Sequence, residues 1–304
     1  GLNVVRQAIA SAQTGRGLAL IRGLPRQGVS AGEYRLLTWA IGMHLGVPRP
    51  QGAKSHYISE VRAAGQAYRS ASGRGYHTNA SLDFHMDDAD LVLLGCYNGA
   101  RSGGQSLVSS STSAWNTLRA ERPDLAEIAT QDFPFSRNTE EAPDEAPYYQ
   151  QPLFDRADGL QFARWNRNRV RTALEIEGVP PLTAPQVECA DLLDEILCRP
   201  DHLLQMWLEP GDLQIMNNHV MLHSRTAFDD YDDEERRRCL YRVWIAPPNS
   251  PRLPQTWQPF YRSIEPGSVR GGIRGHEHDD RCLAFEARQA QRFQMSVAPS
   301  TRLS

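Results

Sequence analysis

The sequence predicts a mainly β fold with flanking helices (α+β), built on a β-sandwich or jelly-roll core. Three observations carry this. Helical periodicity gathers toward the ends, short strand-length runs fill the middle, and no repeat or clean linker divides the 304 residues. A single domain over 1–304 is the expected organisation.

The elements follow in order. Val4 to Ala12 has helical spacing, and "GLALIRGLP" reads as a short buried strand stopped by Pro25. In "SAGEYRLLTWAIGMHLG", Ser30 and Glu33 stand as a capping box and Gly46 as the stop of a helix. "ADLVLLGCYN" is apolar nearly throughout, as a strand covered on both faces would be. "ARSGGQSLVSS" reads as a tight turn into another strand, and "SAWNTLRAERPDLAEIA" resumes a helical pattern. Residues 138–152 are Pro-rich, acidic and aperiodic, which predicts an exposed loop or a lid. A helix over about 184–198 precedes two strands, "GDLQIMNN" and "CLYRVWIA", separated by the charge run "DDYDDEERRR". The Pro-, Gly- and Arg-rich tail carries a late helical stretch near 282–293, and "GHEHDD" at 275–280 reads as a solvated loop.

Composition narrows the function classes. With 40% hydrophobic and 23% charged residues the chain is of ordinary globular make-up, and a net charge of −3 provides no footprint for nucleic acid. Lys54 is the only lysine, so the basic residues are nearly all arginine, the better bidentate binder of carboxylates. The five cysteines are widely spaced without a CxxC, against a zinc ribbon or a thioredoxin-like site and in favour of reduced thiols in a cytoplasmic protein. No charged-then-apolar leader opens this sequence, and no apolar run reaches the roughly 18 residues of a membrane span, so a membrane partner is not expected. A homo-oligomer is compatible with all of this.

The chemistry concentrates in "SLDFHMDDADLVLL". If this stretch is extended, His85 and Asp87 point one way and Asp88 and Asp90 the other. An imidazole and a carboxylate then converge, and a metal needs a third ligand from elsewhere. "NNHVMLHSRTAFDD" offers His219 and His223, spaced as on one helix. The zincin motif, however, requires glutamate where this chain has Val220. One of these histidines with His85 and Asp87 makes two imidazoles and one carboxylate, the facial triad of non-haem iron, with open positions for chemistry. Downstream, "RRRCLYRVWI" places Arg238, Leu240, Arg242 and Trp244 on one strand face. Two guanidiniums among apolar residues form a carboxylate-binding device.

Together these pieces resemble the TauD/TfdA family of Fe(II)- and 2-oxoglutarate-dependent dioxygenases. "LIRGLP", "FHMDDADLVLLGC", "SGGQSLVSS", "GDLQIMNNHVMLHSRTAFDD", "RRRCLYRVWI" and "RGGI" at 270–273 come in the family's order and span most of the chain. The resemblance implies a double-stranded β-helix, a distorted jelly roll, with Fe(II) bound by His85, Asp87 and His223. It implies that Arg238 receives the distal carboxylate of 2-oxoglutarate. Ser106 stands where many members have threonine, and Arg242 occupies a position that contacts co-substrate in some members and anionic substrate in others. His219 falls outside the ligand position and is left to the pocket or to the framework. The implied reaction takes 2-oxoglutarate and O2, releases succinate and CO2, and oxidises an unactivated C–H bond. Hydroxylation is the default, with desaturation or cyclisation needing no other ligands, while the carboxylate of Asp87 occupies the position that halogenases leave open.

For the substrate, a small and carboxylate-bearing or amino-acid-like molecule is expected, with Arg242, Tyr76, His77, Asn79, Arg164, Asn166 and His219 as candidate contacts. Two rivals stand beside this reading: a redox-neutral metalloenzyme and a non-catalytic binding protein on the same fold. The first leaves Arg238 and Ser106 without a purpose, and the second would be expected to have lost a ligand.

Overall fold

The computed structural model describes residues 2–64 and 78–298. Its larger sheet is antiparallel and six-stranded, in the spatial order Leu18–Ile21, Leu213–Asn217, Leu91–Asn98, Cys239–Ala246 and Val47–Arg49, with Ile58–Val61 also paired to Cys239–Ala246. A smaller antiparallel sheet holds Leu203–Met206, Ser106–Ser110 and Met221–Arg225.

The apolar runs are explained by what covers each face. Leu91, Leu93, Ile215, Val243 and Ile245 point outward, under Val5, Ile9 and Ile41 of the helices Leu2–Thr14 and Ala31–Met43. Val92, Met216 and Trp244 point inward and meet Val108 and Met221 of the smaller sheet. Each strand is thus buried on both sides, so period-2 alternation of polarity is absent by necessity. Truncating one of these large side chains to alanine costs about 2–5 kcal/mol. A third layer closes the outer side of the smaller sheet. There the helices Ser111–Glu121, Pro123–Ile128 and Ala184–Cys198 and the hairpin Asp132–Ser136 with Tyr148–Pro152 share one apolar cluster with Leu222.

Several local expectations are refined. The Ser30–Glu33 capping box forms, yet the helix ends at Met43 rather than running to Gly46. Gly46 serves packing instead, because a Cβ there would stand 2.3 Å from the Ala246 carbonyl oxygen. The helical stretch after Ser110 breaks at Arg122, since Pro123 lacks the N–H needed to continue and opens a second helix. Residues 138–152 are irregular only as far as Pro147. Beyond it Tyr148–Pro152 pairs with Asp132–Ser136 and buries Tyr149 and Gln151. In "GHEHDD", Asp279 caps the helix Asp280–Phe293, and the His278 side chain is buried against Glu286 with Nε2 3.1 Å from Oε1, so this loop is not simply solvated. Among the described residues no helix is long and apolar enough to cross a membrane.

Candidate active site

Just ahead of the Leu91–Asn98 strand, His85 is pinned by single β-bridges to His223 on one side and Asn166 on the other. The His85 N–H donates to the His223 carbonyl at 3.0 Å, and the His223 N–H returns the bond at 2.9 Å. Residues directly opposed in an antiparallel pair carry adjacent side chains, so this pairing erases their separation in sequence. The two imidazole centroids lie 4.3 Å apart. Asp87 follows, and one ligand atom from each of His85, Asp87 and His223 lies within 4.8 Å of the others. No other group of three such side chains comes together among the described residues. The stretch around His85 is not a regular strand, but it delivers the convergence that alternation predicts.

The protonation states suit a ligand set. His85 Nδ1 lies 2.9 Å from the Asp83 carbonyl oxygen, which only accepts, so Nδ1 carries the proton and Nε2 keeps its lone pair. Burial and the neighbouring His85 and Arg242 push the His223 pKa down to about 3, against the pull of Asp87, so this ring is neutral. Burial would raise the Asp87 carboxyl, but the Arg242 guanidinium foremost, together with the hydrogen bond from the Trp244 indole, lowers its pKa and keeps it ionised. Arg242 Nη1 donates to both Asp87 oxygens at 3.1 and 3.3 Å, Trp244 Nε1 donates to Oδ2 at 2.9 Å, and Gln51 Oε1 anchors Arg242 Nε at 2.8 Å. Asn218 Oδ1 accepts the Asp87 backbone N–H at 3.2 Å.

Arg238, Leu240, Arg242 and Trp244 all line one cavity of about 130 Å³ with His85, Asp87 and His223. Tyr241, Val243 and Ile245 of the same strand pack outward. Arg238 is buried and, among the described residues, forms no ion pair and has Nη1 without a hydrogen-bond partner; burial pushes its pKa below the ordinary value despite Asp230, whose carboxylate takes its backbone N–H. An uncompensated buried guanidinium is costly and calls for an anion. Ser106 lines the same cavity, its hydroxyl 3.1 Å from the Gln214 amide. Two imidazoles, one carboxylate and an unmatched arginine fit iron with a dicarboxylate such as 2-oxoglutarate.

The remaining candidates separate. Asn166 lines the cavity. Arg164 does not; it is fully buried behind the site, bonded to the Asp87 carbonyl at 3.2 Å, the Tyr149 hydroxyl at 3.0 Å and the Asp88 carboxylate. His219 lies among Phe162, Trp257 and Tyr261, with Nε2 2.8 Å from Asp90, away from the cavity. Asn79 bonds the Phe228 carbonyl at 3.3 Å and does not line the cavity. Tyr76 and His77 lie outside the described residues. Asp88 and Asp90 are buried in ion pairs, with Arg164 and Arg169 and with Arg270 respectively. Sequence reasoning missed Gln51, Asn218 and Arg169 as parts of the site. Trp244 was within reach, since alternation already put it beside Arg238 and Arg242.

The comparisons with known proteins converge on one family. The sequence model described as "Taurine catabolism dioxygenase TauD, TfdA family" matches residues 3–244. FR-33289 synthase of Streptomyces rubellomurinus is 32% identical over 257 residues, covering 83% of this chain and 75% of the relative. Asparagine oxygenase, solved with Fe(II), 2S,3S-3-hydroxyasparagine and succinate, superposes with a TM-score of 0.62 at 18% identity, covering 81% and 79% of the two chains. The non-heme iron oxygenase OrfP, solved with Fe, succinate and (3S)-hydroxy-L-Arg, has a TM-score of 0.58 at 14% identity, covering 81% and 80%. The two structures establish likeness of fold, here a jelly roll with flanking helices. Given the family match over most of its length and the 32% identical relative, this chain belongs to the TauD/TfdA family and is an Fe(II)- and 2-oxoglutarate-dependent dioxygenase.

Proposed function

We propose that His85, Asp87 and His223 hold the iron, that Arg238 and Ser106 receive the distal carboxylate of 2-oxoglutarate, and that residues 1–304 work as one catalytic domain. The substrate is a small, carboxylate-bearing or amino-acid-like molecule, hydroxylated at an unactivated carbon. A cytoplasmic setting without nucleic-acid or membrane partners belongs to the same reading. The observation that carries it is the convergence of three ligand atoms within 4.8 Å, beside a buried arginine whose guanidinium is in no ion pair among the described residues. Solved structures of similar fold hold hydroxylated amino acids and succinate, in keeping with the substrate class.

When bound, iron and 2-oxoglutarate supply the oxidising chemistry, with release of succinate and CO2. The chain's own residues do the rest. Arg242 and Trp244 keep Asp87 ionised and fixed in orientation, as hydrogen-bond partners of metal ligands do. The Asp83 carbonyl fixes the His85 tautomer. Leu94, Leu208 and Leu240 give the cavity apolar walls, which strengthen the pull of the buried Arg238 on an anion.

The test is anaerobic addition of Fe(II) and 2-oxoglutarate to the purified protein. A visible charge-transfer band should appear and should be lost in His223→Ala. A band that survives this substitution unchanged would remove His223 from the ligand set.

A further inference from the structure

We infer that Arg169, with the side-chain amides of Asn166 and Asn168, forms the seat for an anionic group of the substrate: a carboxylate, or a tetrahedral oxyanion such as a sulfonate or phosphonate. The inference rests on the iron and 2-oxoglutarate assignment above, because the seat shares that cavity.

Charge is the first argument. Arg164 and Arg169 are both buried, and among the described residues the single carboxylate ion-paired to either is Asp88, which they share. Direct ion pairing thus sets two guanidiniums against one carboxylate, with the buried Glu140 lining a separate small pocket beside Arg169, and Arg169 is the member of the pair that faces the cavity. Arg238 is reserved for the co-substrate, and Arg242 is engaged by Asp87 and Gln51. Arg242 was the arginine expected to meet an anionic substrate, and this engagement leaves Arg169 better placed. Asp83, the remaining acidic group of the cavity wall, is only half-buried.

Hydrogen-bond inventory is the second argument. A guanidinium has five N–H donors. Arg169 gives one to the Ser136 carbonyl at 2.8 Å and one to Asp88 at 2.7 Å, and the other three meet no acceptor among the described residues. The neighbouring amides are oriented by donors that cannot accept. Asn166 Oδ1 takes the backbone N–H of Arg169 at 3.1 Å, and Asn168 Oδ1 takes Arg171 Nη2 at 3.1 Å. With both oxygens occupied, each residue has its NH2 group left to offer, and neither NH2 has a partner among the described residues. These three side chains therefore turn donors toward the cavity, which matches an acceptor-only group and disfavours a neutral amide, while Asp88 on the same wall is already paired with Arg164 and Arg169.

The experiment uses the full chain loaded anaerobically with Fe(II) and 2-oxoglutarate, so that the charge-transfer band reports an intact centre. Propionate, ethanesulfonate and ethylphosphonate are titrated against the band, with propanamide as the neutral control. At least one anion should perturb the band saturably while propanamide does not, and the responding probe distinguishes carboxylate from tetrahedral oxyanion. Arg169→Gln should weaken that anion at least tenfold, and Arg169→Lys less, with the 2-oxoglutarate requirement of both unchanged. If Arg169→Gln does not fold, Asn168→Asp decides. It keeps an acceptor for Arg171 while replacing a donor by a negative oxygen, and should also weaken the anion at least tenfold. Undiminished anion binding in these variants, no anion response while the band is present, or competition of the anion with 2-oxoglutarate each overturns the inference. Absence of the band in the wild-type protein overturns the iron assignment itself, a separate and visible failure.

Discussion

Replacing Arg242 by methionine isolates what holds the carboxylate ligand. Asp87 is buried, and Arg242 Nη1 reaches both its oxygens at 3.1 and 3.3 Å. Removing one partner of a buried ion pair leaves an uncompensated charge and costs about 3–5 kcal/mol. Unfolding of a chain this large shifts by roughly 2 °C per kcal/mol, so the metal-free variant should melt about 6–10 °C below the metal-free wild type. A divalent cation bound at the proposed site of His85, Asp87 and His223 would supply the missing positive charge. Saturating Mn(II), which avoids oxidation during the scan, should therefore raise the melting temperature of the variant more than that of the wild type. Differential scanning fluorimetry with and without Mn(II) reads both quantities. A metal-free variant melting within about 2 °C of wild type, or equal metal-induced shifts in the two proteins, would refute the claim that Arg242 balances Asp87.

Three further outcomes are expected. Arg238→Met should raise the 2-oxoglutarate concentration needed for half-maximal succinate formation by about 30-fold or more, following the roughly 2–5 kcal/mol lost when one partner of a buried charge pair is truncated. An unchanged requirement would place the co-substrate elsewhere. His219→Gln should keep the iron band, since His219 bonds Asp90 outside the cavity, while lowering stability by about 1–3 kcal/mol in urea titrations. Glu286 lies against Arg49 and His278, which outweigh its burial and bring its pKa from 4.5 down to about 2. A carboxyl depressed on folding stabilises above its unfolded pKa and loses that contribution as pH falls toward the folded value. Wild-type stability should thus decline by roughly 3 kcal/mol between about pH 5 and 2 through this group. Glu286→Gln should be less stable at neutral pH and flatter across that acid window; equal slopes would exclude Glu286 as the cause.

Much of the site was legible because strand alternation is a local rule. Reading "RRRCLYRVWI" at period two places Arg238, Leu240, Arg242 and Trp244 on one face, and that face lines the cavity. The pairing of His85 with His223 was not available from either segment, because it is a tertiary bridge between stretches with no local strand signal of their own at His85. The resemblance to a family supplied it. The roles of Arg164, Arg169 and Arg242 were illegible for a related reason. An arginine-rich sequence does not say which guanidinium is already matched to a buried carboxylate, and only the folded chain allocates Asp87 and Asp88 among them. The break at Arg122 was present in the sequence as Pro123, whereas the use of Gly46 for close packing depends on Ala246, far along the chain.

The bridge between His85 and His223 has a consequence for how the protein endures as well as for what it binds. A metal ion held by both residues is a reversible cross-link, closing a chain loop on the order of a hundred residues. In the chain-entropy description a permanent link over such a loop restricts the unfolded ensemble by about 5 kcal/mol. Loss of the ion would therefore loosen the bridge between the His85 segment and the Met221–Arg225 strand, and the resting protein's lifetime would follow the iron supply as its turnover would.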